Sequence, residues 1–289
     1  MTWIPYALFA VMCAVATPLL QRRSKVDTLA MLFWLRVITV VTLVPVVFFI
    51  GLPTGSLFYI VMIIFGILVT YTDFLYFRFV RHNNPAIATR LLKPTVIVTF
   101  LLWFVLDPDL LERYMDQPGW AIVIVALLIM AVIFASKLKQ CNVTRSALIQ
   151  LWPVLCSAAI YPIISKYILI GVDPWVGAVG VYFTTAVVVL ITLTIVQMRT
   201  QKIPTSALVN VDTIKVSALI TVPSLLGGLA LVMAFQDAAN PAYVSVMMMI
   251  VPVILSIVGY ILGDPDRGNQ RAGFGLLAIA TLIVFLQIR

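Results

Sequence analysis

Residues 79–86 read FVRHNNPA and residues 235–242 read FQDAANPA, so Phe79, Asn84, Pro85 and Ala86 recur as Phe235, Asn240, Pro241 and Ala242. The echo continues downstream. A second proline follows in each copy, Pro94 and Pro252, then an Asp-Pro-Asp at residues 107–109 and 264–266, then a glycine opening the last apolar block, Gly119 and Gly273. Proline and glycine punctuate helix ends in any protein, so one such match carries nothing. Several matches in the same order, at nearly constant spacing, mark an internal duplication into halves 1–140 and 141–289.

Both halves are too apolar for water. Of 289 residues, 63% are hydrophobic and 10% charged, against roughly 25% charged in an ordinary soluble domain. A spanning helix needs about 20 apolar residues, and such blocks recur from Trp3 to Ile288 with short interruptions. Spans are expected at 3–20, 29–50, 58–80, 84–106, 119–136, 147–170, 176–198, 213–235, 241–262 and 271–287. An odd number of helices per half inverts one copy relative to the other, the arrangement in which secondary transporters hold a site between the halves near the bilayer midplane. The expected fold is an all-α membrane protein of ten transmembrane helices arranged as two inverted five-helix repeats. The first block has no basic residue before it and no small-residue cleavage site after it, so it reads as a retained helix rather than a signal peptide.

The net charge of +8 sits mostly in short connections. Arg22, Arg23 and Lys25, then Arg81, then Lys137, Lys139 and Arg145, then Arg199 and Lys202 all fall on one side, while the opposite connections are neutral or acidic. The Lys/Arg count makes the first face cytoplasmic and puts both termini outside, in a bacterial-type inner membrane. This pattern accounts for the positive charge without nucleic acid. The sequon Asn142-Val143-Thr144 then lies on the cytoplasmic side, where it is not glycosylated. Cys13, Cys141 and Cys156 form neither a CxxC pair nor a His/Cys cluster and read as apolar filler, so no metal or cofactor is expected. Neither a nucleotide-binding motif nor a Ser/His pair or His/carboxylate cluster appears, which argues against an enzyme.

With these motifs the chain resembles the drug/metabolite transporter superfamily, in particular the EamA-type ten-helix transporters. In that family each half has a helix with a central proline, an acidic residue about twelve positions later and a final Gly-led helix. Pro94 with Asp107 and Gly119, and Pro252 with Gly263-Asp264 and Gly273, match this pattern, and Arg36 matches an arginine often found early in the second helix. The resemblance spans essentially the whole chain. Two features depart from it: Ala16-Thr17-Pro18 stands where many relatives have Trp-Gly, and Asp stands where Glu is commoner. Neither the first nor the sixth span holds a carboxylate, so the membrane Glu of the related small multidrug exporters has no match. The resemblance implies a cavity surrounded by helices one to four and six to nine, with five and ten peripheral. Spans five and ten indeed carry no internal charge.

Ionisable side chains inside a bilayer are costly and face a cavity or a partner. Here they are Arg36, Asp73, Arg90, Lys93 and Lys166, with Arg78 and Lys215 near span ends. At 1.5 Å per residue, Arg36, Asp73 and Arg90 lie about 10 Å from the cytoplasmic boundary and Lys93 about 14 Å. Arg90 and Lys93, three apart, share a helix face. Arg36, Arg90 and Lys93 are therefore expected to form a basic floor, with Asp73 holding one of them when the site is empty. Such a floor favours an anion, because Arg grips carboxylate or phosphate through two bonds and Lys adds a point charge. The competing reading is that Arg36 and Arg90 snorkel to the surface.

Lys166, nearer the outer face, reads as an outer gate or relay residue. Asp73, the one carboxylate well inside a span, is the simplest carrier for proton coupling, the alternative being a counter-substrate. Tyr76, Tyr161 and Gln236, with Tyr71, Tyr182 and Gln150, are expected to hydrogen-bond a polar ligand. Pro94, Pro162 and Pro252, with Pro153 and Pro223, are expected hinges, since they free backbone carbonyls. Trp3, Trp120 and Trp175 read as interfacial anchors, the methionines at 247–249 as adaptable packing, and His82 as a solvated residue.

The expected function is secondary transport of a polar, anionic small metabolite by alternating access, with membrane lipid as the other partner. Two alternatives stand: export of amino acids or drugs with the buried basic residues merely structural, and translocation of a lipid-linked phosphate whose tail stays in the bilayer.

Overall fold

The computed structural model describes residues 2–23, 26–82, 94–137, 145–200, 205–261 and 269–287. Arg90, Lys93, the first Asn-Pro-Ala, the second Asp-Pro-Asp and the sequon lie outside these ranges. Among the described residues every regular element is helical: α1 Trp3–Arg23, α2 Thr28–Ile50, α3 Ser56–His82, α4 Thr95–Leu106, α5 Pro108–Asp116, α6 Pro118–Lys137, α7 Arg145–Tyr167, α8 Pro174–Thr200, α9 Thr205–Leu208, α10 Val211–Asp237, α11 Pro241–Met248, α12 Val251–Ile261 and α13 Gln270–Gln287.

Short polar side chains set the helix starts by accepting first-turn amides that have no helical partner. Asp27 accepts from the amides of Leu29 and Ala30 at 2.9 and 3.0 Å, Asp173 from Trp175 and Val176 at 2.9 and 3.1 Å, and Asn240 from Ala242 at 2.9 Å. Asn240-Pro241 is thus a cap followed by a proline at the first helical position, where its missing N–H costs nothing. This gives the second Asn-Pro-Ala a physical reason. Asp107-Pro108 works the same way, with Asp107 accepting from Leu110 at 3.1 Å. The acidic connection after span four is therefore a short helix, α5. Its Tyr114 packs edge-on against Phe104, ring centroids 5.2 Å apart.

Seven stretches are long and apolar enough to cross a bilayer: Trp3–Gln21, Thr28–Ile50, Ser56–Phe79, Pro118–Lys137, Pro174–Arg199, Val211–Asp237 and Pro241–Ile261. Thr95–Leu106 and Arg271–Ile283 are shorter apolar helices. Their outer faces are apolar too: Phe48 and Phe49 are 84% and 89% exposed, a surface that lipid accepts and water penalises. The chain is a multi-pass, all-α membrane protein.

α1 lies along α10, α2 and α3 pack against α8, and α10 also packs against α2 and α8. α7 takes α3 and α4, α1 takes α11 and α12, and α6 pairs with α13. Two apolar clusters tie α2, α3, α8 and α10 together at opposite ends. One holds Leu43, Phe58, Met62, Val179 and Met233; the other holds Met31, Leu32, Phe77, Val189 and Ile220. α1 and α10 approach closely because Gly227 has no side chain: a Cβ there would fall 2.4 Å from the Cys13 Cβ, the small-residue contact by which membrane helices pack.

Two expectations change. Trp3 is 4% exposed, inside the cluster shared by α4, α6, α11 and α13, because the start of α1 is covered by neighbours rather than left at the interface. Span nine is discontinuous. α11 ends at Met248, α12 begins at Val251, and Pro252 sits in the first turn of α12, where it needs no helical donor. Pro94 similarly precedes the first residue of α4.

Candidate functional site

Within the apolar α2 the one charged residue is Arg36, and in the middle of α3 it is Asp73. A lone charge in hydrocarbon is costly, which forces such residues together. Arg36 Nη2 donates to Asp73 Oδ2, and the two side chains are 11% and 27% exposed. Arg36 Nε is buried and has no hydrogen-bond partner. The guanidinium therefore meets Asp73 through one nitrogen and keeps a further N–H for another acceptor.

Beside this pair lies a cavity of about 300 Å³. Five helices line it: α2 with Arg36, α3 with Phe65, Thr72, Asp73 and Tyr76, α7 with Ser157 and Tyr161, α8 with Tyr182 and Thr185, and α10 with Ser224. It lies between the two apolar clusters that close α2, α3, α8 and α10 at either end. Phe65 and Tyr161 stack with ring centroids 5.3 Å apart, and Phe235 meets Tyr161 edge-on at 5.9 Å. A charged pair, three phenols and small hydroxyls inside aromatic walls suit a compact polar ligand, held by hydrogen bonds and shielded from water. Pro162, inside α7, cannot donate to the carbonyl of Ala158, and Ala158 lines the cavity.

Of the residues singled out from sequence, Arg36, Asp73, Tyr76 and Tyr161 line the cavity, and Tyr182 joins them. Arg90 and Lys93 lie outside the described residues, as does the side chain of Gln150. Tyr71 is 55% exposed on the outer surface of α3.

Lys166 and Gln236 do not line this cavity and are occupied elsewhere. Lys166 Nζ donates to the carbonyls of Gln236 and Ala238 at 3.0 and 2.5 Å and lies 5.4 Å from the Trp103 ring centroid. Gln236 Nε2 donates to the carbonyls of Leu169 and Val172 at 3.0 and 2.5 Å. Together they latch the end of α7 and the α7–α8 turn to the end of α10. Lys166→Met should lower stability by about 1–3 kcal/mol through the loss of both bonds, read as a lower melting temperature in detergent. An unchanged midpoint would contradict this role.

Sequence reasoning missed Thr72, Ser157, Thr185 and Ser224, which look like ordinary small residues of membrane helices. It also missed Gly228. A Cβ there would fall 1.6 Å from Tyr182 Oη, so the phenol lies directly across the α10 backbone. The Gly227-Gly228 pair in the middle of a span was the available signal.

No family model matches the sequence, and no curated protein matches it. Sixteen chains of solved structures match the fold. One, described only as a crystal structure of a protein, covers 99% of this chain and 96% of its own with a TM-score of 0.68 at 14% sequence identity. At that identity the likeness is one of fold.

Proposed function

We propose that the protein is a secondary transporter that moves a polar, anionic small metabolite across the inner membrane by alternating access, and that it is an EamA-type member of the drug/metabolite transporter superfamily. The observation that carries the reading is the Arg36–Asp73 pair beside a polar, aromatic cavity inside a membrane bundle, with Arg36 Nε unpaired. An intramembrane charge pair with donor capacity to spare is costly unless it is used. A ligand carboxylate or phosphate supplies the missing acceptor.

The packing supports ten spans in two inverted halves, 1–140 and 141–289. Exchanging α1 with α7, α2 with α8, α3 with α10, α4 with α12 and α6 with α13 turns each principal contact among these helices into another that is also present. α1 on α10 becomes α7 on α3, α3 on α8 becomes α10 on α2, α4 on α7 becomes α12 on α1, and α6 on α13 maps to itself. Hydrogen bonds follow the same exchange. Gln21, near the end of α1, donates to the Phe77 carbonyl on α3 at 3.1 Å, as Lys166 near the end of α7 does to that of Gln236 on α10. Paired closures at opposite ends of a central cavity are what alternating access requires.

We read the cavity as a binding site rather than a catalytic one, and we take Asp73 as the coupling residue, accepting a proton when a substrate anion binds Arg36. The one-to-one charge of the described cavity also favours a second reading, a zwitterion with its ammonium at Asp73. A thermal-stability screen of the purified protein against carboxylates, phosphates and amino acids tests both, since a ligand stabilises by mass action, about 2.7 kcal/mol at 100 times its Kd. An anion should raise the melting temperature of the wild type and leave Arg36→Gln unmoved. Stabilisation by neutral amino acids alone would select the zwitterion, and no ligand in any class would overturn both readings.

A further inference from the structure

A second cavity, of about 210 Å³, lies behind the first. The two share Tyr76, Tyr182 and Ser224 as lining residues, so a wall of two phenols separates them. The chemistry changes across that wall. The rear cavity is bounded by Ala10, Ala14, Gly227, Gly228, Leu231 and Met248, and no charged side chain lines it. Its polar lining is Thr17 and Gln21 on α1 and the shared Tyr76, Tyr182 and Ser224; Thr17 donates to the Cys13 carbonyl at 3.1 Å and Gln21 Nε2 to the Phe77 carbonyl at 3.1 Å.

Resting on the transporter reading, we propose that this rear cavity is a subsite for an apolar tail of the cargo, so that the substrate is an amphiphilic acid with its anionic head at Arg36 and a short hydrocarbon or aromatic tail behind Tyr182. Two observations carry it beyond adjacency. The front cavity alone is at the lower edge of the roughly 300–1,000 Å³ of small-molecule sites, and the two joined fall well inside that range. The wall is made of side chains rather than backbone, and Tyr182 can stand where it does only because Gly228 has no Cβ. A rotation of Tyr182 about χ1 is the motion that would join the compartments, a smaller rearrangement than a helix shift. Walls that are mostly apolar and carry no charge then reward hydrocarbon and reject a second charge.

The test is the affinity of the purified protein for straight-chain carboxylates from acetate to hexanoate, with the matching alkyl phosphates in parallel, by calorimetric titration. Affinity of the wild type should rise about fourfold per methylene until the rear cavity is full. Ala14→Phe, which places a ring in that cavity, should flatten the rise and leave the shortest member unaffected. Leu231→Ala, which enlarges the cavity without a bulky insertion, should carry the rise on to longer chains. An equal slope in wild type and both variants, or binding with no dependence on chain length, would overturn the subsite while leaving the transporter reading in place. Failure of every carboxylate and phosphate to bind would overturn the anion reading and the subsite with it.

Discussion

Arg36→Ala should abolish saturable binding of anions and lower stability by about 3–5 kcal/mol, the cost of removing one member of a buried ion pair. Arg36 is the sole cation among the described cavity residues, and its side chain is 11% exposed. Removing it leaves the Asp73 carboxylate in a low-dielectric interior with its guanidinium partner gone. The double variant Arg36→Ala/Asp73→Ala removes the stranded charge along with its partner, so it should recover most of the lost stability and none of the binding. Melting temperatures combined with ligand titration separate the two effects. A single variant as stable as the double one would contradict the pairing argument, and one that binds anions like the wild type would contradict the role of Arg36 as the anchor.

Gly228→Ala should cost about 1–3 kcal/mol in stability, the usual penalty for an atom added to a filled space, and at least tenfold in affinity for the shortest carboxylates, which use the front cavity with its Tyr182 wall in place. The new Cβ would meet Tyr182 Oη at 1.6 Å, Cζ at 1.9 Å and Cε1 at 2.6 Å, so the whole ring must leave, and a wall of both cavities goes with it. Removing the hydroxyl alone does not relieve this, because Cζ is nearly as close. Tyr182→Phe should therefore fail to rescue the stability of Gly228→Ala, whereas Tyr182→Ala should succeed. Gly227→Ala is the contrasting case. Its Cβ would strike the Cys13 Cβ at 2.4 Å, which strains the α1–α10 contact without displacing either tyrosine, so stability should fall with little change in affinity at the Arg36 end. Equal effects of the two glycine variants on binding would argue against Tyr182 as a wall of the site.

The parts of the site legible in the sequence are those that a membrane makes conspicuous. Arg36 and Asp73 stand out because a charge inside an apolar block needs a partner, but their depth was shared with Arg90, and only the structure shows that Arg36 is the basic residue Asp73 meets. Lys166 stood out for the same reason, yet its partners are the backbone carbonyls of Gln236 and Ala238, which every residue possesses and no sequence pattern marks. Gln236 likewise spends its amide on Leu169 and Val172. The Asp-Pro and Asn-Pro pairs were visible as a repeat, and capping geometry shows what they do at Asp107 and Asn240: they start helices.

Hydropathy along the chain was enough to show that the protein is helical and crosses a membrane several times, because twenty apolar residues in a row and a turn signal are local properties. Tertiary structure alone decided that Trp3 faces inward, that Gln236 serves a latch, and that Tyr182 crosses α10 at Gly228 to divide one space into two. Those outcomes depend on how each helix is rotated about its axis and which neighbour it meets. In a chain where nearly every face is apolar, hydropathy leaves that rotation undetermined, and close packing of small and large side chains settles it.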